Sequence, residues 1–222
     1  MKKHLLEFLE KKPSIFRLCV FIYNIIFSGN WGLFKKITAP YAIFKKINLT
    51  VKGTGNTIII DKWSQLNRCK IVIYGNNNVI HIGQNCKLTE TCFWIEDDNN
   101  EISIADKTYL CGKTQLACIE GTRISIGEGC LFSSDILFRT GDSHSIVDMD
   151  GERINTSMNI TIGNHVWIGV RAFIGKGVLI SDNSIVGACS CVTRKFEQCN
   201  VVIAGNPAKI VKENIDWKNE RL

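Results

Sequence analysis

Proline is scarce in this sequence, long apolar runs are absent, and no two cysteines stand at CxxC spacing. Only 3 of the 222 residues are proline, 45% are hydrophobic and 22% are charged, which excludes a disordered or collagen-like chain. The main apolar run, residues 14–27, contains Arg17 and Asn24 and is shorter than the roughly 20 residues of a spanning helix. Acidic residues precede this run and no small-residue cleavage site follows it, which argues against a signal peptide. We therefore predict a folded domain that does not cross a membrane.

The ten cysteines of the chain fit neither a disulfide framework nor a zinc site by their spacing. A chain of 222 residues can bury a core without covalent links. We interpret the cysteines as reduced thiols that serve as small hydrophobic residues, which is typical of a cytoplasmic protein. A cysteine nucleophile is the weaker alternative, because Cys189 and Cys191 fit the repeat described below and have no adjacent histidine.

The excess positive charge is confined to the N-terminal segment. Residues 1–47 hold nine Lys or Arg and two Glu, whereas the whole chain has a net charge of +6. A nucleic-acid-binding protein more often carries its basic surface on the folded body, so we expect no nucleic-acid partner. We predict that residues 1–47 form basic amphipathic helices that pack on the body or contact an anionic membrane. A solvated, lysine-rich helix is the alternative.

Two clusters carry the membrane hypothesis. The first is an apolar helix face made of Leu5, Leu6, Phe8 and Leu9. The second cluster consists of two phenylalanines, each followed by two lysines: Phe34, Lys35 and Lys36, and Phe44, Lys45 and Lys46. We expect the phenylalanines to insert into the membrane and the lysines to contact its anionic surface.

Isoleucines recur at a fixed interval through the first half of the chain. Ile60, Ile82, Ile104 and Ile126 are 22 residues apart, and each follows another isoleucine by two residues. From Ile162 the interval shortens to six, with an aliphatic residue, usually glycine after it, and a small residue four places later. A six-residue period fits neither a helix nor a flat strand. It predicts a solenoid of short strands, with the aliphatic side chains inside and tight corners between the strands.

The repeat predicts an all-β solenoid over residues 48–210. Three faces of six residues make an 18-residue coil, and the 22-residue coils carry four extra polar residues at one corner, as at 75–78 and 97–100. A β-sandwich is the weaker alternative, because its strands rarely keep a fixed register. Right-handed crossovers are the rule for parallel strands, but the period alone does not decide the handedness of the coil. Residues 211–222 are expected to form a loose C-terminal tail.

The C-terminal repeats carry specific motifs, which are HVWIG at 165–169, the run of hexads, and AGNPAK at 204–209. In these motifs the chain resembles the hexapeptide-repeat acyltransferases, especially the acetyltransferases of bacterial surface polysaccharides and the galactoside and serine acetyltransferases. The resemblance implies a left-handed parallel β-helix, a homotrimer, and acetyl-coenzyme A as the acetyl donor without a metal. Zinc hydratases share the fold, but His81 and His165 lack the close second histidine of that motif.

A polar excursion interrupts the hexads, and we predict an active-site loop over residues 139–161. Of four histidines only His144 lies there, and an imidazole can accept a hydroxyl proton near neutral pH. From the residues alone, a solvated loop histidine would be the more frequent case. Asp142-x-His144 matches the D-x-H of the family, and this resemblance implies that His144 is the general base. Asp142 then either orients the imidazole or caps a turn.

Further site residues follow from the same resemblance. Trp167, which we expect at a corner of the coil, would line the acceptor and thioester site and donate its indole N–H, or else pack on a neighbouring subunit. Asn159 would bond the acceptor. The implied coenzyme A contacts are Val170, Ala188 and Thr193 along the pantetheine arm, and Arg194, Lys209 and Lys212 near the phosphates. Charges at such positions could equally form a solvated edge.

We therefore predict a cytoplasmic O-acetyltransferase that modifies a sugar hydroxyl of a bacterial surface polysaccharide or of its lipid-linked precursor. Two other functions stay open at this point. One is an acetyltransferase for serine or an antibiotic, and the other is a non-enzymatic β-solenoid scaffold. A scaffold would need neither His144 nor a set of phosphate-binding residues.

Overall fold

The computed structural model describes residues 13–28 and 36–220. Helix α1 spans Pro13–Phe27 and is followed by 22 strands. The strands are β1 Ile43–Lys45, β2 Asn48–Lys52, β3 Thr57–Ile60, β4 Gln65–Asn67, β5 Lys70–Tyr74, β6 Val79–Ile82, β7 Lys87–Thr89, β8 Cys92–Glu96, β9 Glu101–Ile104, β10 Tyr109–Leu110, β11 Gln115–Cys118, β12 Arg123–Ile126, β13 Leu131–Phe132, β14 Leu137–Arg139, β15 Ile160–Ile162, β16 Trp167–Ile168, β17 Phe173–Ile174, β18 Leu179–Ile180, β19 Ile185–Val186, β20 Cys191–Val192, β21 Val202–Gly205 and β22 Ala208–Lys212.

Three sheets form the three faces of a left-handed β-solenoid of about seven coils, which confirms the predicted fold. Face 1 contains β1, β4, β7, β10, β13, β16, β19, β21 and β22. Face 2 contains β2, β5, β8, β11, β14, β17 and β20, and face 3 contains β3, β6, β9, β12, β15 and β18. Each coil visits face 1, then face 2, then face 3, so corner 2/3 denotes the turn between the second and third faces.

The coils stack in strict register because the repeat places the same residue types above one another. On face 3, Ile58 pairs with Ile80 and Ile102 pairs with Ile124 in the parallel ladder. These side chains are buried with the rest of the core, as expected for inward aliphatic positions of a strand of period two. The outward residue between two of them is His81, which is exposed as predicted.

The 22-residue coils differ from the 18-residue coils in the strands that flank corner 2/3. In a short coil, β17 and β18 have two residues each, whereas β5 has five residues and β6 has four. The turn between the flanking strands has four residues in both cases, 75–78 and 175–178. The extra residues therefore lie around the predicted corner, but they lengthen faces 2 and 3 instead of the turn itself. The first four coils project beyond the later ones at this corner.

A ladder of buried polar side chains ties the long coils together at corner 2/3. Asn78 N donates to Asn56 Oδ1 at 2.9 Å, and Asn100 N donates to Asn78 Oδ1 at 2.8 Å. Thr122 N continues the series by donating to Asn100 Oδ1 at 3.1 Å, and Thr122 Oγ1 donates to Thr140 Oγ1 at 2.7 Å. Because buried polar groups are costly without partners, each asparagine side chain ties its own coil to the next coil.

Helix α1 packs on the first coil through one face. Phe16 contacts the rings of Tyr41 and Trp63, with centroid distances of 5.8 and 4.5 Å. The amide of buried Asn24 donates to Ala42 O and accepts from Phe44 N, both at 2.8 Å. The hydrogen bonds hold the helix directly against the beginning of β1.

The solenoid begins before residue 48, which corrects the predicted boundary. Strand β1, Ile43–Lys45, pairs in parallel with β4 and belongs to the first coil. Phe44 points into the core and is 1% exposed, so the prediction that Phe44 inserts into a membrane is wrong. Leu5, Leu6, Phe8, Leu9, Phe34 and Lys35, which carried the rest of that hypothesis, lie outside the described residues.

Among the described residues, no helix is long and apolar enough to cross a membrane. The ten cysteines are free, and Cys69, Cys86 and Cys130 are buried among the coils. Burial raises the pKa of each of these three thiols to about 11, so they remain protonated and inert near neutral pH.

The C-terminal segment is partly anchored, which corrects the prediction of a loose tail over residues 211–222. Strand β22 turns back antiparallel to β21 on face 1 and reaches Lys212. Beyond it, Trp217 is 8% exposed and stacks on His165 with a centroid distance of 4.2 Å. Trp217 Nε1 also donates to His165 O at 2.8 Å, so the segment is fixed at corner 3/1.

Candidate active site

The predicted active-site loop leaves the solenoid at corner 2/3, between β14 and β15. Its first residue beyond β14, Thr140, is fully buried, and the Thr140 hydroxyl accepts from Ile119 N at 3.1 Å. On the return path, Met158 N donates to Thr140 O at 2.8 Å and closes the base of the loop. The loop therefore begins at Thr140, the last member of the polar ladder, where the long coils end.

Asn155 is the residue on which the inner part of the loop is built. It is 6% exposed, and its Nδ2 donates to both His144 O and Asp142 Oδ2 at 2.8 Å. Its Oδ1 accepts from Ile146 N at 2.8 Å. Lys176, from the next coil, donates to Asp142 Oδ2 at 2.7 Å and to Asn155 O at 3.0 Å. Asn155 thus bonds the backbone of His144 directly, and Asp142 and Lys176 hold Asn155 in place.

A second set of bonds ties the loop to the long coil above it. Arg153 forms a salt bridge with Glu120 at 2.7 Å, and Ser157 Oγ donates to Glu120 Oε2 at the same distance. Glu120 N donates in turn to Asp97 Oδ2 at 3.2 Å. Hydrogen bonds from Arg153 and Ser157 lower the pKa of the Glu120 carboxyl, and bonds from Lys176 and Asn155 lower that of Asp142. Both carboxylates are therefore charged at neutral pH.

The structure separates the predicted roles of Asp142 and His144. The His144 side chain is exposed at the outer side of the loop, while the Asp142 carboxylate is bonded to Lys176 and Asn155. Within the described residues Asp142 makes no hydrogen bond to the imidazole. It is linked to the His144 carbonyl through Asn155, and the predicted choice between orienting the imidazole and capping a turn stays open. The general-base role of His144 stays a prediction.

Sequence reasoning missed Asn155, Lys176, Glu120 and Arg153. Their partners are distant along the chain, 13 residues for Asn155 and Asp142, and 34 for Lys176 and Asp142. A local motif does not reveal such pairs. The one available signal was the excess of polar and charged residues in a segment that lacks hexads.

Trp167 lies on a face of the solenoid and not at a corner, which corrects the prediction. It is the outward residue of β16 on face 1, and its ring centroid is 6.1 Å from that of Trp217. The corner position belongs to His165, whose positive φ of 53° marks the turn. Asp216 Oδ1 lies 3.3 Å from His165 Nε2, so the C-terminal segment contacts the side of face 1 that carries Trp167.

The predicted coenzyme A contacts fall into separate groups. Val170 and Ala188 stack on corner 1/2, where Cys189 N donates to Val170 O at 2.8 Å. Exposed Thr193 and Arg194 follow β20 at corner 2/3, and exposed Lys209 and Lys212 lie on β22 of face 1.

Corner 1/2 nevertheless suits an extended thioester arm. A Cβ added at Gly169 would lie 2.6 Å from Ala188 N, so only glycine permits this close stacking. Exposed basic side chains are available for phosphates at the C-terminal coils, namely Arg194, Lys209 and Lys212. The residues present therefore fit a coenzyme A molecule.

Asn159 is already used within the solenoid. Its Oδ1 accepts from Arg123 N at 2.9 Å, and its carbonyl accepts from Gly177 N at 3.1 Å. Asn159 thus continues the hydrogen bonding between coils below the loop. Its contact with an acceptor stays a prediction.

Replacement of Asn155 by alanine should free the backbone around His144 without unfolding the coils. The variant loses the bonds to His144 O, Asp142 and Ile146 N together, so amide exchange of residues 142–156 should accelerate by at least about tenfold, which corresponds to about 1.4 kcal/mol of local opening. Hydrogen exchange with mass spectrometry measures this. Asp150→Ala, a change at an exposed position of the same loop, is the control. Equal exchange in both variants would contradict the central position of Asn155.

Comparison with known proteins adds the identity of the family. No family model matches the chain. A polysialic acid O-acetyltransferase of Neisseria meningitidis is 37% identical over 188 residues, which are 75% of this chain and 87% of the relative. The crystal structure of the polySia-specific acetyltransferase NeuO superposes with a TM-score of 0.62 at 27% identity, covering 78% of this chain and 89% of NeuO. The polysialic acid O-acetyltransferase OatWY gives a TM-score of 0.53 at 28% identity, over 84% and 92% of the two chains.

The fold, the motifs and these relatives agree with the resemblance of the hexad repeats to hexapeptide-repeat acyltransferases. The chain belongs to the hexapeptide-repeat family of acetyl-coenzyme A-dependent O-acetyltransferases.

Proposed function

We propose that this enzyme transfers acetyl from acetyl-coenzyme A to a sugar hydroxyl of a bacterial surface polysaccharide or of its lipid-linked precursor. The single observation that carries the proposal is the hydrogen bond from Asn155 to His144 O. This bond fixes the backbone of an exposed histidine in the loop at corner 2/3 of an acetyltransferase fold. A relative matched over 87% of its own length is a polysialic acid O-acetyltransferase, which supports a saccharide acceptor over serine or an antibiotic.

In the proposed reaction the acceptor hydroxyl attacks the thioester carbonyl carbon as the His144 imidazole takes the hydroxyl proton. The tetrahedral oxyanion is stabilised by an N–H donor, for which we propose the indole of Trp167. When the C–S bond breaks, the sulfur takes the proton that His144 received from the hydroxyl and leaves as the thiol of coenzyme A. Direct transfer leaves no covalent enzyme intermediate, so none of the buried cysteines is needed.

Replacement of His144 by alanine should lower turnover by roughly 10²- to 10⁴-fold, because a general base contributes about that much. Binding of coenzyme A should be retained, since the His144 imidazole makes no hydrogen bond within the part of the chain that the structure describes, and alanine keeps the backbone bond to Asn155. Release of thiol from acetyl-coenzyme A with capsular or lipid-linked oligosaccharides measures turnover. His81→Ala, which removes an outward histidine on face 3, is the matched control. Near-normal turnover of the His144 variant would end this assignment.

We further propose a closed homotrimer. The loop places several apolar side chains in solvent, and exposed apolar patches of this kind mark interfaces: Ile146, Val147, Met149 and Ile154. His144 lies at corner 2/3 while Trp167 lies on face 1 of the same chain, so one chain does not unite the proposed groups. A neighbouring subunit could bring its face 1 to this loop.

Light scattering should give three times the 25.0 kDa chain mass at micromolar concentration. The double variant Ile146→Asp and Ile154→Asp should shift the mass toward the monomer and reduce activity in proportion, because charges replace the apolar contact. Val211→Asp, at an equally exposed apolar position on β22, is the control for the mass. A fully active monomer would contradict a site shared between subunits.

The proposed location is the cytoplasm, with peripheral contact at the inner membrane surface. Phe44 does not serve this contact, but α1 offers another apolar surface. Its outward stripe, opposite the buried Phe16 and Asn24, contains Ile15, Leu18, Ile22 and Ile26, of which Ile26 is 64% exposed. With the basic charge of residues 1–47, this arrangement is typical of a helix that lies in a membrane interface.

Vesicles that contain anionic lipid should co-sediment the full chain at low salt and release it at high salt. The variant Ile22→Asp and Ile26→Asp should bind at least about tenfold more weakly, which equals about 1.4 kcal/mol. Val211→Asp again controls for loss of an exposed apolar side chain. Point variants are preferable to a truncation at residue 48, because that truncation would remove β1 from the first coil. Equal sedimentation of all variants would assign the stripe to another partner.

A further inference from the structure

The end of the chain is bound along corner 3/1 by two pairs of reciprocal contacts. Ile215 N donates to Asn200 O at 3.0 Å, and Asn200 Nδ2 donates to Ile215 O at 2.9 Å. Two coils earlier, Trp217 Nε1 donates to His165 O at 2.8 Å, and Trp217 O lies 3.1 Å from His165 Nε2. Residues 215–217, which we name the C-terminal strap, therefore run along the corner from the last coil toward the N-terminal end of the solenoid.

Trp217 is the side chain by which the strap reaches face 1. Its ring contacts two outward side chains of the HVWIG motif. It stacks on His165 with a centroid distance of 4.2 Å and an interplanar angle of 5°, and it meets the ring of Trp167 at 6.1 Å and 46°. Trp217 is buried, yet it lies outside the hydrophobic core that the coils enclose. The strap thus covers this motif from the outside of the solenoid.

The two tryptophans use their indole N–H groups differently. Trp217 donates its N–H to His165 O. The N–H of Trp167 has no hydrogen-bond partner in the part of the chain that the structure describes, and Trp167 is 38% exposed. Trp217 meets Trp167 on the side of corner 3/1, whereas the predicted coenzyme A contacts Val170 and Ala188 lie at corner 1/2. An accessible N–H on a ring that is held from the opposite side suits a donor to a developing oxyanion.

The other neighbours of Trp167 on face 1 are aliphatic. Leu131 and Ile185 pair with it on the adjacent strands of the ladder. Aliphatic side chains have no ring quadrupole and set no preferred tilt, whereas an aromatic pair favours offset or edge-to-face geometry. Among these contacts, the one with Trp217 therefore depends most on the angle of the indole.

We propose that Trp217 is a positioning residue that holds the indole of Trp167 in one orientation, with its N–H available to the oxyanion. Displacement of a catalytic group by about 1 Å can cost on the order of 10²-fold in rate, so a residue outside the reacting groups can control turnover. This inference rests on the proposed function, because the oxyanion donor of that reaction is Trp167. It extends the active site to the C-terminal strap.

Two substitutions separate the ring contact from simple filling of the position. Trp217→Phe keeps an aromatic ring against Trp167, whereas Trp217→Leu fills the position without a ring. Both variants should fold, because Trp217 lies outside the core. In crystal structures without ligand, the Trp167 indole should be displaced or divided between rotamers in Trp217→Leu and should keep its orientation in Trp217→Phe.

Kinetics tests whether this orientation matters for the reaction. Trp217→Leu should lower kcat by about tenfold or more with the KM for acetyl-coenzyme A within about twofold of wild type, and Trp217→Phe should restore most of the rate. In a Trp167→Phe background, which lacks the N–H, Trp217→Leu should change kcat by less than about twofold. Trp94→Leu is the matched control, since the Trp94 ring centroid also lies 6.1 Å from that of an aromatic partner, Tyr74 on face 2.

The remaining outcomes separate the failure of this role from the failure of the proposed function. An unmoved Trp167 in Trp217→Leu, or losses in kcat that multiply in the double variant, would overturn the positioning role and leave the proposed transfer intact. Normal turnover of Trp167→Phe would overturn the donor role of Trp167 and the positioning role together. If wild type transferred acetyl to no sugar, the proposed function would fail, and the crystal structures would still decide whether Trp217 orients Trp167.

Discussion

The structure depends on the register between successive coils at corner 2/3. Side-chain amides of part-buried Asn56 and of buried Asn78 and Asn100 connect successive coils by hydrogen bonds, and Thr122 and Thr140 extend the series to the base of the loop. Removal of one partner would leave a buried donor or acceptor unpaired, at a cost of about 1 to 3 kcal/mol. The same register fixes the outward rows of each face, so the position of the loop follows from it.

Repetition explains why the sequence predicted so much of the fold. Isoleucines 22 apart and aliphatic residues six apart report the same inward position in each coil, and the ladder pairs them as the period requires. Phe44 and Trp217 were interpreted wrongly for the opposite reason, because they lie at the ends of the repeat. The lysines beside Phe44 suggested a membrane contact for that residue. Trp217 follows the last hexads, which suggested that it lies in a loose segment. At the ends of a solenoid the burial of a side chain depends on capping elements. These elements are not part of the repeat, so the sequence period does not predict them.

The candidate site was predicted less completely than the fold. His144 was identified by its motif and by the break in the hexads, both of which are local features. The groups that hold its backbone come from three separate segments, represented by Asn155, Lys176 and the Glu120–Arg153 pair. Their proximity is created by stacking of coils and is invisible in a single sequence. The position of Trp167 shows the same limit, since its outward direction on face 1 follows from the register of β16 with β13 and β19.

The change from long to short coils occurs at corner 2/3, where the active-site loop leaves the solenoid. Solenoid stability needs only the inward residues, so a uniform 18-residue coil would suffice for the core. The additional residues of the first four coils instead enlarge faces 2 and 3 directly above the loop and end where the loop begins. An enlarged face costs ordering entropy, and it adds core as well, because Ile73 and Ile95 on the lengthened strands are fully buried. Tyr74 and Lys52 occupy such added positions. The lengthened strands thus stabilise the coils and also place extra outward positions at corner 2/3, on the side of the fold that carries the loop of His144.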